Sequence, residues 1–283
     1  MRCSRSFTPV PLLFLLLALL ASSVAAQKRP MTIVDLIEVP SVGAPRVSPD
    51  GSRLLYVRAD ADWEKNRTIS HVFMVNADGS ETRQMTYGPE GQSSPSWAPD
   101  GRTIAFTADR EDAEGTQIYL LSMEGGEARR LTTHPTSVQS PSWSPDGTSV
   151  YFLAPDPKTE EEKEKEEARD DVYAFDENYK QEHLWKVDVE TGEAGRITEG
   201  DFTVAQYALS RDGRRVAHMR SPTPLYGSFQ WAEVWVMDAD GRNALQLTSD
   251  TVPQQAPVLS PDNSTVMFRA DSNEELDFYY NDK

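Results

Sequence analysis

Short runs of alternating hydrophobic and polar residues recur along the whole chain. Five are Arg53-Leu54-Leu55-Tyr56-Val57, Thr103-Ile104-Ala105-Phe106-Thr107, Ser149-Val150-Tyr151-Phe152-Leu153, Arg215-Val216-Ala217-His218-Met219 and Thr265-Val266-Met267-Phe268-Arg269. Their length, their period near two and their β-branched and aromatic content predict strands. Four are followed by a second run: His71-Val72-Phe73-Met74-Val75, Gln117-Ile118-Tyr119-Leu120-Leu121, His183-Leu184-Trp185-Lys186-Val187 and Glu233-Val234-Trp235-Val236-Met237. A glycine-bearing turn comes next, at Asp78-Gly79, Gly125-Gly126, Thr191-Gly192 and Asp240-Gly241. A short strand then ends in Met85-Thr86, Leu131-Thr132, Ile197-Thr198 or Leu247-Thr248.

One polar stretch precedes each first run. Its fullest form is Ser140-Pro141-Ser142-Trp143-Ser144-Pro145-Asp146-Gly147. Ser94-Pro95-Ser96-Trp97-Ala98-Pro99-Asp100-Gly101 nearly copies it, and Ala44-Pro45-Arg46-Val47-Ser48-Pro49-Asp50-Gly51 does so more loosely. Tyr207-Ala208-Leu209-Ser210-Arg211-Asp212-Gly213 and Ala256-Pro257-Val258-Leu259-Ser260-Pro261-Asp262-Asn263 complete the set. Pro145 presets φ for the second position of a type I turn. Ser144 can bond back to the backbone, and Gly147 supplies a positive φ at the exit. Such turns join hairpin strands. Asn263 replaces the glycine in the last copy, and asparagine tolerates that conformation best among the other residues. Asp50, Asp100, Asp146, Asp212 and Asp262 therefore read as turn residues, not catalytic acids.

These aspartates stand 50, 46, 66 and 50 residues apart. Counting the short strand before each turn, a unit has four strands. Four-stranded units of about 40–50 residues are the blades of a β-propeller. A β-sandwich would not repeat its turn chemistry at a fixed period. The fold class is thus all-β, a propeller with blades at about 41–86, 93–132, 139–198 and 205–248 and a partial fifth at 255–283. The fifth lacks its third and fourth strands, which leaves sheet edges open. The expectation is a fragment, with further blades and another domain following Lys283.

Arg2 and Arg5 precede the apolar run from Pro11 to Ala21, and Val24-Ala25-Ala26 offers small residues for cleavage. This is the pattern of a secretory signal peptide over residues 1–26. The run is short for a membrane span, and no cysteine follows it where a lipid anchor would need one. Cys3, the one cysteine, lies inside that segment. The mature chain is expected to hold no disulfide, thiolate metal site or cysteine nucleophile. Export without disulfides suits a bacterial periplasm or the cell exterior. Losing Arg2 and Arg5 takes the formal charge from −17 to −19. Such a chain lacks the basic footprint that nucleic acid or an anionic membrane surface requires.

Three segments stand apart from the repeat. Residues 27–40 form a leading segment that suits either a short helix or a leading strand. The run Pro155 to Asp171 accounts for the 66-residue interval. It pairs Glu161 with Lys165 and Glu166 with Arg169 at helical spacing but has no apolar stripe, so it reads as a solvated helix or a disordered loop. Ser221-Pro222-Thr223-Pro224-Leu225-Tyr226-Gly227-Ser228-Phe229-Gln230-Trp231 is a loop rich in aromatics. It would either line a binding mouth or pack over a neighbouring blade.

No catalytic constellation is visible. His71, His134, His183 and His218 have no partners at metal-ligand spacing, so each reads as a structural histidine, with no metal or cofactor expected. There is no Gly-x-Ser-x-Gly elbow. Asp238-Ala239-Asp240-Gly241 begins like a calcium loop but lacks the later ligands, and its likeness to Asn76-Ala77-Asp78-Gly79 marks it as a turn. Asn66-Arg67-Thr68 and Asn263-Ser264-Thr265 are glycosylation sequons by pattern only. Catalytic residues are none on this reading, and substrate-binding residues are not identified.

The repeats resemble the propeller units shared by TolB and by the prolyl oligopeptidase family of serine peptidases, over nearly all of residues 30–283. Two features favour the acylaminoacyl- and dipeptidyl-aminopeptidase-like branch. The blades follow directly on the short segment Asp35-Leu36-Ile37 to Pro49-Asp50-Gly51, where a TolB-like chain would carry a separate α/β domain. Asp171-Val172-Tyr173 with His183-Leu184-Trp185-Lys186-Val187-Asp188, and Ser221-Pro222-Thr223-Pro224 with Glu233-Val234-Trp235-Val236, resemble that branch's third and fourth blades. The resemblance implies a propeller that admits short peptides to a C-terminal α/β-hydrolase domain with a Ser-Asp-His triad. No position here matches a triad residue, so that domain is missing from this chain. The alternatives are a stand-alone TolB-like periplasmic interaction propeller, or a propeller fused to another exported enzyme.

Overall fold

The computed structural model describes residues 29–110, 112–170, 172, 174, 176–249 and 252–270. The signal-peptide reading at 1–26 and the end at 271–283 lie outside the described residues. The chain divides into two units, Met1–Val39 and Pro40–Lys283. In the first, α1 (Ile33–Glu38) settles the leading segment as a helix. Thr32 and Asp35 form a reciprocal capping box at its start, which satisfies donors that a strand would not leave exposed.

The second unit is a series of antiparallel sheets in strict chain order. The first sheet is β1 (Ser41–Val47), β2 (Arg53–Asp62), β3 (Arg67–Asn76) and β4 (Arg83–Gln84). The second is β5 (Gln92–Trp97), β6 (Thr103–Asp109), β7 (Thr116–Ser122) and β8 (Arg129–Arg130). The third is β9 (Gln139–Trp143), β10 (Ser149–Pro155), β11 (Glu182–Asp188) and β12 (Ala194–Arg196). The fourth is β13 (Thr203–Leu209), β14 (Arg215–Ser221), β15 (Glu233–Asp238) and β16 (Leu245–Gln246). A hairpin of β17 (Gln254–Leu259) and β18 (Val266–Ala270) follows. These sheets are β-propeller blades.

The period of two explains how the blades stack. Successive side chains of a strand point to opposite faces. In β6, Ile104, Phe106 and Ala108 join Leu55, Val72 and Met74 of the first blade, whereas Ala105 joins Val150 and Phe152 of the third. In β10, Tyr151 and Leu153 turn the other way, toward Val204 and Val216 of the fourth. Strands inside the stack are therefore buried on both faces and read as nearly unbroken apolar runs. Burying a Phe106 or an Ile104 contributes about 1.5–3 kcal/mol each.

The repeated turn behaves as its residues predict. Ser144 N–H donates to Ser149 O at 2.9 Å, and Gly147 N–H returns to Ser144 O at 2.9 Å. The Ser144 hydroxyl donates to Asp146 at 2.5 Å and accepts Ser149 N–H at 3.0 Å. Asp146 also accepts Thr148 N–H at 3.1 Å. The same net recurs at Ser48, Ser210 and Ser260. Gly147 sits at φ 72° and Asn263 at φ 60°. The hydroxyls of Ser48 and Ser260 hold Asp50 and Asp262 down to about 2, with help from the backbone N–H groups of Ser52 and Ser264.

The tryptophans of the same stretch join blades. Trp97 Nε1 donates to Arg46 O at 3.0 Å, and Trp143 Nε1 donates to Ser96 O at 3.3 Å. Each reaches the previous blade's first strand just past its bulge, where Ala44, Ser94 and Ser140 take positive φ.

Candidate functional site

The two ends of the blades differ in character. One end holds the Ser-Pro-Asp-Gly turns, whose polar groups are consumed within each hairpin. The other end carries the variable loops, between second and third strands and between successive blades. Toward this loop end the third strands carry His71, Gln117, His183 and Glu233, which occupy equivalent positions in register with Arg58, Ala108, Ala154 and Arg220. The threonine closing each blade is tied beside them. Thr86, Thr132, Thr198 and Thr248 accept the N–H of Val72, Ile118, Leu184 and Val234 at 2.9–3.0 Å. Thr198 Oγ1 also lies 3.1 Å from His183 Nδ1. His71 Nδ1 lies 2.9 Å from Gln92 Oε1.

Between the third and fourth blades these positions build a charged cluster. Asp156 accepts Arg196 Nη1 at 2.8 Å and lies 3.7 Å from His183 Nε2. Gln181 donates to Asp201 at 2.8 Å and to Pro222 O at 3.0 Å, and accepts Thr203 Oγ1 at 2.6 Å. Arg220 lies between the rings of Phe202 and Trp235, its guanidinium carbon 4.1 Å from each centroid. Its Nε donates to His218 Nε2 at 2.9 Å. His183 and His218 are fully buried. Burial, reinforced by nearby arginines, pushes His183 down to about 4 and His218 down to about 3. Both rings are neutral near pH 7.

The aromatic loop borders a separate cleft. Residues Tyr226–Trp231 form a 3-10 helix with no buried residue. Tyr226 is 94% exposed, so the loop does not pack over its neighbour. Tyr226, Phe229 and Met219 instead face Pro253, Gln254 and Gln255 of the next blade across a cavity of about 730 Å³. The loop thus borders a cleft and buries none of its aromatic residues.

The charged insert is a helix, α2 (Glu160–Glu167), capped reciprocally by Thr159 and Glu162. It has no buried residue, and Glu161 pairs with Lys165 at 2.8 Å as its spacing predicts. Glu166 and Arg169 meet only through the backbone, Arg169 N–H donating to Glu166 O at 3.0 Å, and their side chains do not pair. The Glu166 carboxylate accepts Lys158 Nζ at 2.7 Å, because the helix ends at Glu167 and Arg169 turns to positive φ. Lys180 on the returning limb pairs with Glu162 and holds it down to about 2.

Among the described residues no group of His, Cys, Asp and Glu is arranged to hold a metal ion. No helix among them is long and apolar enough to cross a membrane. The loop end brings together aromatic rings, carboxamides and the half-buried Arg220 above two buried neutral imidazoles.

Comparison with known proteins gives this geometry its context. Residues 38–182 match the family model of the TolB beta propeller domain. The uncharacterized peptidase YuxL of Bacillus subtilis is 34% identical over 84 residues, 30% of this chain and 13% of that protein. Dipeptidyl-peptidase 5 of Porphyromonas gingivalis is 37% identical over 60 residues, 21% of this chain and 9% of that protein. The match thus spans a small part of either relative. In structure, TolB from Acinetobacter baumannii superposes with a TM-score of 0.55 at 19% identity, covering 80% of this chain and 48% of that one. An acylaminoacyl peptidase from Pyrococcus horikoshii gives 0.57 at 16% identity, covering 82% and 36%. At these identities the structural likeness is one of fold.

Proposed function

This chain belongs to the TolB beta propeller domain family, and on that premise we propose that it is the substrate-admitting propeller of an exported serine peptidase that cleaves short peptides. The observation that carries the reading is the sequence match, above 30% identity, to separate relatives named as peptidases. The chemistry of the loop end agrees with it. A cleft of about 730 Å³ with aromatic and carboxamide walls suits an extended peptide of a few residues. The reading places acyl transfer on a separate α/β-hydrolase domain bearing a Ser-Asp-His triad. In this arrangement the blades exclude folded chains by size, and loop residues orient the peptide that enters. Export is proposed from the pattern of Arg2, Arg5 and the apolar run that follows.

The test is to label the full-length natural gene product with a serine-reactive fluorophosphonate and to assay cleavage of a graded peptide series. Labelling, with activity falling steeply as peptides lengthen, is the expected result. A folded product that neither labels nor cleaves overturns the reading. It would favour a stand-alone interaction propeller.

A further inference from the structure

Register places Arg220 and Arg58 at the same position of their blades, opposite Glu233 and His71. Both stack on the same third-strand position, Trp235 for Arg220 and Phe73 for Arg58. Their second contacts differ. Arg58 is closed by a carboxylate two residues on, with Nε and Nη2 donating to Asp60 Oδ1 at 3.1 and 2.7 Å. In the fourth blade that position is Pro222.

Arg220 therefore keeps its charge without a carboxylate partner among the described residues. The neighbouring acids are engaged elsewhere. Asp156 takes Arg196, Asp201 takes Gln181, and Glu233 accepts the Thr248 hydroxyl at 2.5 Å. Burial lowers the guanidinium below its ordinary value, and no nearby carboxylate offsets that. The group is held on three contacts, with the Phe202 and Trp235 rings each 4.1 Å from its guanidinium carbon and Nε donating to His218. The Nη groups make no hydrogen bond within the described residues, and their fork matches the two oxygens of a carboxylate. A phosphate dianion would call for a second cation or a nest of backbone N–H groups aimed at the same point.

We propose that Arg220, clamped between Phe202 and Trp235 and left unpaired by Pro222, is a carboxylate-binding site at the loop end between the third and fourth blades. Only the source of the carboxylate, a short peptide's C-terminus or an acidic side chain, rests on the peptidase reading.

Trp235 forms one wall, so its fluorescence reports occupancy. Titration of the full-length protein with N-acetyl-trialanine acid, its C-terminal amide and acetyl-Ala-Glu-Ala-amide separates the sources. The expected result is at least about tenfold tighter binding of a carboxylate-bearing peptide than of the amide, as one charge-assisted pair implies. Arg220→Gln should abolish that preference. Pro222→Asp keeps the arginine but restores the closure seen at Arg58 and Asp60, and it too should lose the preference while retaining the wild-type circular dichroism spectrum. Equal binding of acid and amide, or an undiminished preference in either folded variant, overturns the proposal. So does tighter binding of inorganic phosphate than of both acids. An Arg220-dependent preference in a protein that fluorophosphonate does not label would keep the site and discard the peptidase.

Discussion

Replacing Ser144 with alanine tests whether the repeated turn stabilises the blades through its hydroxyl. Ser144 is 7% exposed, and its Oγ is the side-chain acceptor for Ser149 N–H at 3.0 Å. Ser149 is buried as well, at 3% exposure, so water does not replace that acceptor freely. The second bond lost, to Asp146, ends on an exposed carboxylate that water can satisfy. The cost is therefore dominated by one stranded backbone donor, about 1–2 kcal/mol. For a domain of this size that lowers Tm by about 2–4 °C per kcal/mol. Thr148→Ala is the control, since it removes an exposed hydroxyl bond to Asp146 and a long contact to Ser149 Oγ at 3.5 Å and should cost under about 0.5 kcal/mol.

The chain contains the reverse experiment. Ala98 holds the Ser144 position in the second blade, where the turn closes with Ala98 N–H to Thr103 O at 2.8 Å and no side-chain acceptor. Ala98→Ser adds one oxygen there and should raise stability by about 0.5–1.5 kcal/mol. Urea unfolding followed by tryptophan fluorescence measures all three variants. The reasoning fails if Ser144→Ala costs no more than Thr148→Ala, or if Ala98→Ser destabilises. A pH series sharpens it. The Ser144 hydroxyl, with the Thr148 backbone and side chain behind it, holds Asp146 below the usual carboxylate range. The native state thus favours ionised Asp146, and that contribution is present above the unfolded carboxylate value and lost as pH falls through the folded one. The gap between wild type and Ser144→Ala should narrow in acid.

Thr132→Val should cost about 1–3 kcal/mol, because it strands the buried Ile118 N–H that Thr132 accepts at 2.9 Å and takes from Gln117 Oε1 one of its two donors, at 2.8 Å, leaving His134 N–H. Thr132→Ser should recover most of the loss, and amide exchange at Ile118 should accelerate only in the valine variant. His183 and His218 are held neutral at about 4 and about 3, below the ordinary 6.5. The unfolded chain then binds more protons, so stability should fall as pH drops from 6.5 toward those values. His218→Gln should flatten the slope in equilibrium unfolding between those limits, and an unchanged slope would count against the assignment. Replacing Glu160–Glu167 with a glycine-serine linker should leave Tm and peptide-length selectivity unchanged, since the helix buries nothing and its ion pairs are exposed or, for Glu162 with Lys180, partly exposed. Altered selectivity would make the helix part of the gate.

The strands and turns were legible because their causes are local. Pro145, Asp146 and Gly147 specify a turn without reference to the rest of the chain, and the period of two in β6 specifies two buried faces. Trp97 and Trp143 were visible as part of the repeat, but not as clamps between blades. Their acceptors, Arg46 O and Ser96 O, lie 51 and 47 residues away. The pair Glu166–Arg169 was misjudged because helical spacing matters only while the helix lasts, and it stops at Glu167. The aromatic loop was ambiguous for a related reason. Tyr226 and Phe229 are apolar enough to pack, and only the position of Pro253–Gln255 opposite them decides that they line a cleft.

The repeat also shows where recognition chemistry should be sought. Positions that serve the blade converge on one solution, as the four threonines at 86, 132, 198 and 248 do by accepting the same strand N–H. Positions released from that duty diverge. Two residues after the equivalent positions Arg58, Ala108, Ala154 and Arg220 the chain places Asp60, Arg110, Asp156 and Pro222 in successive blades. Asp60 and Asp156 each meet an arginine, and Arg110 lies over Tyr119 at 4.1 Å. Pro222 alone among these can offer no charge, and it stands beside the arginine most tightly held by rings. A scaffold that needed only packing would gain nothing from fixing a half-buried guanidinium and then omitting its counterion. The omission fits a site whose counterion arrives with the ligand. That is why Pro222→Asp, which alters neither ring nor arginine, is the substitution that separates recognition from support.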